Sequence, residues 1–168
     1  VYGRSILENS SFLVSSANPN PGLHGTGFVA RLSGATAEFI HILIEMAVGP
    51  TAFAMKNDKE LIFSVNPFLP AWLFTSEAQT VNLTHHGEIH SHAIPENSFS
   101  FMFLGDILIS YLNPTRQNTY GPGSVSPAEW SLYDDAGNIQ HISGSRLDHD
   151  TAMMIRSKKI RRIEITLK

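Results

Sequence analysis

The stretch HGTGFVARLSGATAEF, residues 24–39, is a glycine-punctuated loop that runs straight into an apolar helical pattern. Ser33 and Gly34 stand where that helix should begin. Serine is a favoured N-cap, because its hydroxyl accepts a bond from a first-turn amide. The same geometry can hold a ligand. The first turn leaves several amides without intrahelical acceptors and carries the positive end of the helix dipole. Gly34 lets an anion approach the backbone with no Cβ in the way. A phosphate fits such a place.

A second cluster lies in THHGEIHSHAIPE. His86, Glu88, His90 and His92 alternate, so a strand would project them on one face. Imidazole and carboxylate suit a divalent transition metal. His90-x-His92 followed by Glu96 echoes the metal signature of cupins, but the glycines that cupin spacing needs are not matched. The competing reading is a solvated loop or strand, since the cluster sits in a polar stretch between two apolar runs. That reading predicts no bound metal.

Other groups have plainer roles. Glu38, His41 and Glu45 stand three and four apart, the spacing of neighbours on one helix face, where His41 pairs with the acids. Asp134-Asp135 belongs to a turn. Arg156, Lys158, Lys159, Arg161 and Arg162 read as a solvated face beside the last strand. No nucleophile elbow, phosphate-binding P-loop or dinucleotide fingerprint is present.

The elements that must position these residues change character near residue 50. A Ser/Asn/Pro/Gly loop, 10–27, precedes a helix expected from about Gly34 to Val48. That helix is apolar on most sides, and such a helix normally packs among others. Gly49-Pro50 ends it. Beyond lie strand signals. ELIFSVNPFLPAWLF gives a short strand, a proline-bounded turn and a second apolar run. FSFMFLGDILISYL reads as a hairpin with a two-residue Gly105-Asp106 turn, Phe99, Phe101 and Phe103 on one arm and Ile107, Ile109 and Tyr111 on the other. EWSLYDDAGNIQHI is a second hairpin about residues 135–138. IRRIEITL closes the chain, with Ile163, Ile165 and Leu167 facing one way. The expected class is α+β, the strands forming an antiparallel sandwich of jelly-roll type.

The 168 residues are 42% hydrophobic and 16% charged, ordinary for a globular chain. A net charge of −3 supplies no basic field for nucleic acid or an anionic membrane. Cysteine is absent, which removes disulfides and thiolate sites. Sequons occur at Asn9 and Asn82, but such triplets arise often by chance. The longest apolar run, Phe39 to Val48, contains His41 and Glu45 and is too short to span a bilayer. The opening VYGRSILENSSF reads like the middle of something, so the chain is expected to be part of a longer protein.

Four blocks, in order, resemble the C-terminal part of cellobiose phosphorylase-type enzymes, glycoside hydrolase family 94. LENSSFLVSSANPNPGLHG resembles a segment carrying an acidic residue and then a His-Gly. RLSGATAEF resembles the Thr/Ser-Gly turn at the start of a barrel helix. VGPTAFAMKNDKELIFSVNPFLPAWLF resembles the exit from the barrel, with Pro67, Pro70 and Trp72. FMFLGDILISYLNP resembles the first hairpin of the C-terminal sandwich. The wording is most similar to the β-1,2-oligoglucan phosphorylase branch.

The resemblance implies the end of an (α/α)6 barrel over residues 1–52 and a β-sandwich over 53–168. It implies inverting phosphorolysis: an Asp protonates the glycosidic oxygen while inorganic phosphate attacks the anomeric carbon from the opposite face. That Asp lies upstream of the matched blocks, so the chain alone is expected to be inactive. Ser33, Gly34 and His24 would bind phosphate and Glu8 the sugar. No cofactor is implied; phosphate is a substrate. The expected partners are a β-linked gluco-oligosaccharide, phosphate and the upstream part of the same chain, with a homodimer compatible and the cytoplasm the expected compartment. The alternative is a free-standing jelly roll, either a cupin-like metal enzyme or a carbohydrate-binding module. A cupin would place His86, Glu88, His90 or His92 inside the barrel.

Overall fold

The computed structural model describes residues 12–28, 33–85 and 88–168. It is a small α+β structure, mostly sheet. Two compact units divide between His41 and Ile42.

In the first unit β1 (Phe12–Leu13) and β2 (Gly27–Phe28) pair antiparallel. The loop between them contains a 3-10 turn, Pro21–Leu23, capped by Asn20, whose side chain accepts from the Gly22 amide at 3.0 Å. Helix α1 (Ser33–Val48) starts in this unit. Its described residues begin at Ser33; residues 29–32 lie outside the described residues.

The second unit holds the rest: β3 (Phe53–Lys56), β4 (Glu60–Phe63), β5 (Gln79–His85), β6 (Glu88–Ile94), β7 (Ser98–Phe103), β8 (Ile107–Leu112), β9 (Pro127–Asp134), β10 (Ile139–Ser143), α2 (His149–Arg156) and β11 (Ile160–Leu167). Five strands form one sheet in the order β10-β9-β11-β8-β7. β3–β4 and β5–β6 are separate hairpins.

The sheet's inner face follows the alternation in the sequence. Phe99, Phe101 and Phe103 lie opposite Tyr111, Ile109 and Ile107. Ile163, Ile165 and Leu167 continue that face on β11, and Trp130 and Leu132 on β9; all five are buried. The opposing layer is not a second full sheet. It consists of the β3–β4 hairpin, α2, the last turn of α1 and the irregular segment 64–74, which contribute Phe63, Ile155, Val48 and Leu69 among others. Phe63 sits at the centre, its ring 5.7 Å from Phe103 and 6.0 Å from Trp130. Each such ring contributes about 1.5–3 kcal/mol by leaving water.

Three expectations change. The sheet is mixed, because β11 runs parallel to β8 and antiparallel to β9. The chain leaves β10 through α2 and returns between β8 and β9, which sets the direction of β11. The β7–β8 turn has three residues, 104–106, since Phe103 pairs with Ile107. Leu104 and Gly105 take φ of 52° and 77°, and the Asp106 amide bonds the Phe103 carbonyl at 3.3 Å. Asp106 is nearly buried and paired with Lys158, so it belongs to the turn's support, not its tip. Within the second apolar run, Ala71–Leu73 forms a 3-10 turn. Its Trp72 stays 76% exposed. Finally, α2 was not expected at all.

The two compact units meet inside α1, between His41 and Ile42. The helix's last carbonyls have no partners within the helix. Here the segment after β4 supplies them: Phe68 donates to Met46 O at 2.7 Å and Asn66 to Val48 O at 2.9 Å. Gly49 ends α1 at φ 91°, where an added Cβ would meet Asn66 O at 3.1 Å. The final turn therefore belongs to the sheet unit.

Candidate functional site

Ser33 and Gly34 are the first described residues of α1; residues 29–32 lie outside the described residues. The helix has 16 residues and no acidic residue in its first turn. An anion arriving there would meet no carboxylate from the helix itself.

His24 closes the 3-10 turn and is exposed. Its Nε2 lies 2.8 Å from the Asn18 carbonyl, an acceptor, so Nε2 carries a proton. Only Nδ1 is left to face a ligand. A neutral ring would present a lone pair there, and only the imidazolium would present a donor to phosphate. Glu8 lies outside the described residues.

The apolar surface of α1 is open. Phe39 is 62% exposed and Ile44 51%, and Ile40, Ile42 and Leu43 are comparable. Five large apolar side chains on one short helix is the composition of a helix packed among others. Glu38, His41 and Glu45 share this exposure.

The histidine cluster is a two-stranded ribbon. Register places Gln79 opposite Ile94, Val81 opposite His92 and Leu83 opposite His90, so these six share one face. Glu88 and His90 are exposed and approach at 3.8 Å. Residue 86 lies outside the described residues. Among the described residues no group of three or more His, Asp or Glu could hold a metal ion.

Two arrangements could not be read from the sequence. On the outer face of the sheet, Ser110, Glu164, Ser131 and His141 stand in one row across β8, β11, β9 and β10. Ser131 Oγ lies 2.9 Å from His141 Nδ1. This is not a catalytic triad. Glu164 and His141 flank Ser131 on opposite sides, so the carboxylate cannot orient the imidazole. Glu164 is instead committed to Tyr133, whose hydroxyl donates to it at 2.7 Å, and to Arg162. That bond to Glu164 raises the Tyr133 pKa above its ordinary value. The basic run is thus mostly paired: Arg161 with Asp135, Lys158 with Asp106, and Arg162 with Glu164 and over the Tyr133 ring.

The second is a cleft of about 340 Å³ lined by Lys56, Glu60, Arg146, Asp148 and His149. Several of its polar groups hold the fold together. Lys56 pairs with Glu60 at 3.6 Å, Asp148 caps α2, and His149 Nδ1 accepts from the Leu61 amide at 2.9 Å. That cleft ties α2 to β4.

No helix among the described residues is long and apolar enough to cross a membrane. No family model and no curated protein matches the chain.

Proposed function

We propose that this chain is the C-terminal portion of an inverting β-glucan phosphorylase, which cleaves β-glucosidic bonds with inorganic phosphate to give α-glucose 1-phosphate. The observation that carries the reading is α1. Its described part runs from Ser33, exposes an apolar surface suited to neighbouring helices, and ends docked in a β-rich unit. A last barrel helix leading into a sandwich would have these properties. The ordered sequence blocks supply the family.

In this reading phosphate sits at the first turn of α1, held by the amides of Ser33 and Gly34, with His24 beside it and Glu8 towards the sugar. Phosphate is already anionic, so the site needs to hold and orient it and not to activate it. The general acid and the remaining phosphate ligands come from the upstream barrel. The chain alone is inactive and takes no cofactor.

The test is Gly34→Val in the complete protein. A branched side chain would stand where the anion approaches. Losing one or two backbone bonds to a charged ligand costs about 1.5–3 kcal/mol each, so the phosphate KM should rise at least tenfold with oligoglucan saturating. The oligoglucan KM should change less. An unchanged phosphate KM and kcat, at equal thermal stability, would reduce Ser33-Gly34 to a plain helix start.

A further inference from the structure

β7 is an edge strand of the five-stranded sheet. The direction of its main-chain groups follows from one bond. Asn113 N donates to Asn97 O at 2.8 Å, so the 97–98 peptide turns its carbonyl to β8 and the Ser98 amide away; Asn97 itself lies in the turn at φ 55°, and its own amide donates to Thr75 O at 2.9 Å. Directions alternate along a strand. Positions 99, 101 and 103 therefore face β8, while the amides and carbonyls of Ser98, Ser100 and Met102 face outward. Ser98 confirms the parity: its amide donates to Thr75 Oγ1 at 3.0 Å and its carbonyl accepts from Thr75 N at 2.8 Å. Thr75 thus pairs with the edge for one residue, and then the chain turns away towards β5. Among the described residues no strand pairs with β7 beyond it.

What lies beside that bare edge is a groove of about 280 Å³. Val81, Leu83 and Ile94 of the β5–β6 hairpin wall one side, and Phe101, Met102 and Leu108 the other. Consecutive β7 residues 98–102 all border it, so it runs along the edge and not over one face. Its hydroxyls are already satisfied: those of Thr75 and Ser98 both donate to Pro95 O, and Ser100 Oγ meets Ser110 Oγ at 2.8 Å. The groove offers main-chain hydrogen bonds and apolar walls.

Thr75, which lines one end, is backed by a cation. The Arg116 guanidinium donates to Thr75 O at 3.2 Å, to Phe74 O at 3.0 Å and to the Asn97 side-chain oxygen at 3.3 Å. All of these acceptors are uncharged, and among the described residues no carboxylate forms an ion pair with Arg116; Glu96 Oε1 lies 3.5 Å from Asn97 Nδ2.

The geometry points to a binding site for the free C-terminal tail of a partner protein, added as an antiparallel strand to β7. An antiparallel tail would run from the Phe103 end to the Ser98 end. Its terminal carboxylate then arrives at Arg116, which supplies the missing charge partner. Its main chain takes up Ser100 and Met102. Apolar side chains at alternate positions enter between Val81, Leu83 and Met102, and the intervening ones face solvent, so the tail should alternate Val or Ile with small polar residues.

The probe is a synthetic heptapeptide, acetyl-Lys-Thr-Val-Thr-Val-Thr-Val, with a free carboxylate, beside the same peptide amidated and the same peptide N-methylated at alternate residues. Titrations followed by amide chemical shifts should move Ser100 and Met102. The free acid should bind about tenfold more tightly than the amide, the difference a charge-assisted bond makes. N-methylation should abolish binding. Ser100→Pro should do the same without unfolding the sheet, because an outward amide on an edge strand is where proline is tolerated. Arg116→Gln should make acid and amide equal. The proposal fails if no peptide binds at millimolar concentration, if acid and amide bind alike to the wild type, if N-methylation is harmless, or if the shifts map elsewhere. A dimer paired through β7 that the peptide does not disperse would equally overturn it.

Discussion

Tyr111 carries one hydroxyl into a fully buried position and places it 2.6 Å from the Ala47 carbonyl. Burial raises its pKa well above the ordinary phenol value, so it is always a donor there. The acceptor is one of the last carbonyls of α1, which the helix itself cannot satisfy. In Tyr111→Phe that carbonyl would be left buried and unpaired, at a cost of about 1–3 kcal/mol. Urea unfolding should show a lower midpoint with an unchanged slope; a midpoint within error of the wild type would mean that water reaches Ala47 O. The sequence placed Tyr111 on the inward arm with Ile107 and Ile109, because alternation is local. It could not show the partner, which lies 64 positions away. The row Ser110–Glu164–Ser131–His141 was illegible for the same reason: it exists only once strands far apart in sequence adopt one register. The body of α1 and its end at Gly49 were legible because an apolar run and a Gly-Pro stop are local signals.

At the scale of elements, both hairpins that close on short turns were readable. The 135–138 turn is explained by Asp134, whose carboxylate accepts from the Ala136 and Asn138 amides at 2.9 and 2.8 Å. α2 was missed because eight residues are too few for a helical period to stand out. Its end signals were nevertheless present: Asp148 at the N-cap, Asp150 in the first turn and Arg156 in the last. The cap makes a pH-dependent prediction. Bonds from the Thr151 hydroxyl and amide hold the Asp148 carboxyl below its ordinary pKa. A depressed carboxyl stabilises the fold above its unfolded pKa, and the contribution is lost as pH falls through the folded value. Asp148→Ala should therefore cost about 1 kcal/mol near neutral pH. The gap from wild type should narrow on going to about pH 2, below the carboxylate range. Asp148→Asn should keep most of the cap at both pH values. A gap of equal size in acid would show that the carboxylate charge is irrelevant to α2.

The whole molecule turns on α1, whose two halves live in different surroundings. At its C-terminal end Ala47 and Val48 are buried in the same core as Trp130 and Ile163, and Gly49 N bonds Glu45 O at 2.8 Å. From Phe39 to Ile44 the side chains are exposed. Opening that stretch gives up helix hydrogen bonds but little apolar burial, so it should cost far less than global unfolding. Hydrogen exchange on this chain should show amides 47–49 as slow as those of β8, with protection falling steadily towards residue 39. In the complete protein the proposed barrel would cover Phe39, Ile40, Leu43 and Ile44. Protection at 39–45 should then rise towards that of β8, by a factor of about ten for every 1.4 kcal/mol of added burial. The comparison separates two ideas. If 39–45 exchange slowly in the chain alone, the helix needs no neighbours, and its apolar surface stops being a reason to place it in a barrel. If they exchange fast in both proteins, nothing packs on α1, and the phosphorylase reading loses the observation that carries it. Only fast exchange alone and slow exchange in the longer protein leaves α1 as a helix waiting for its bundle.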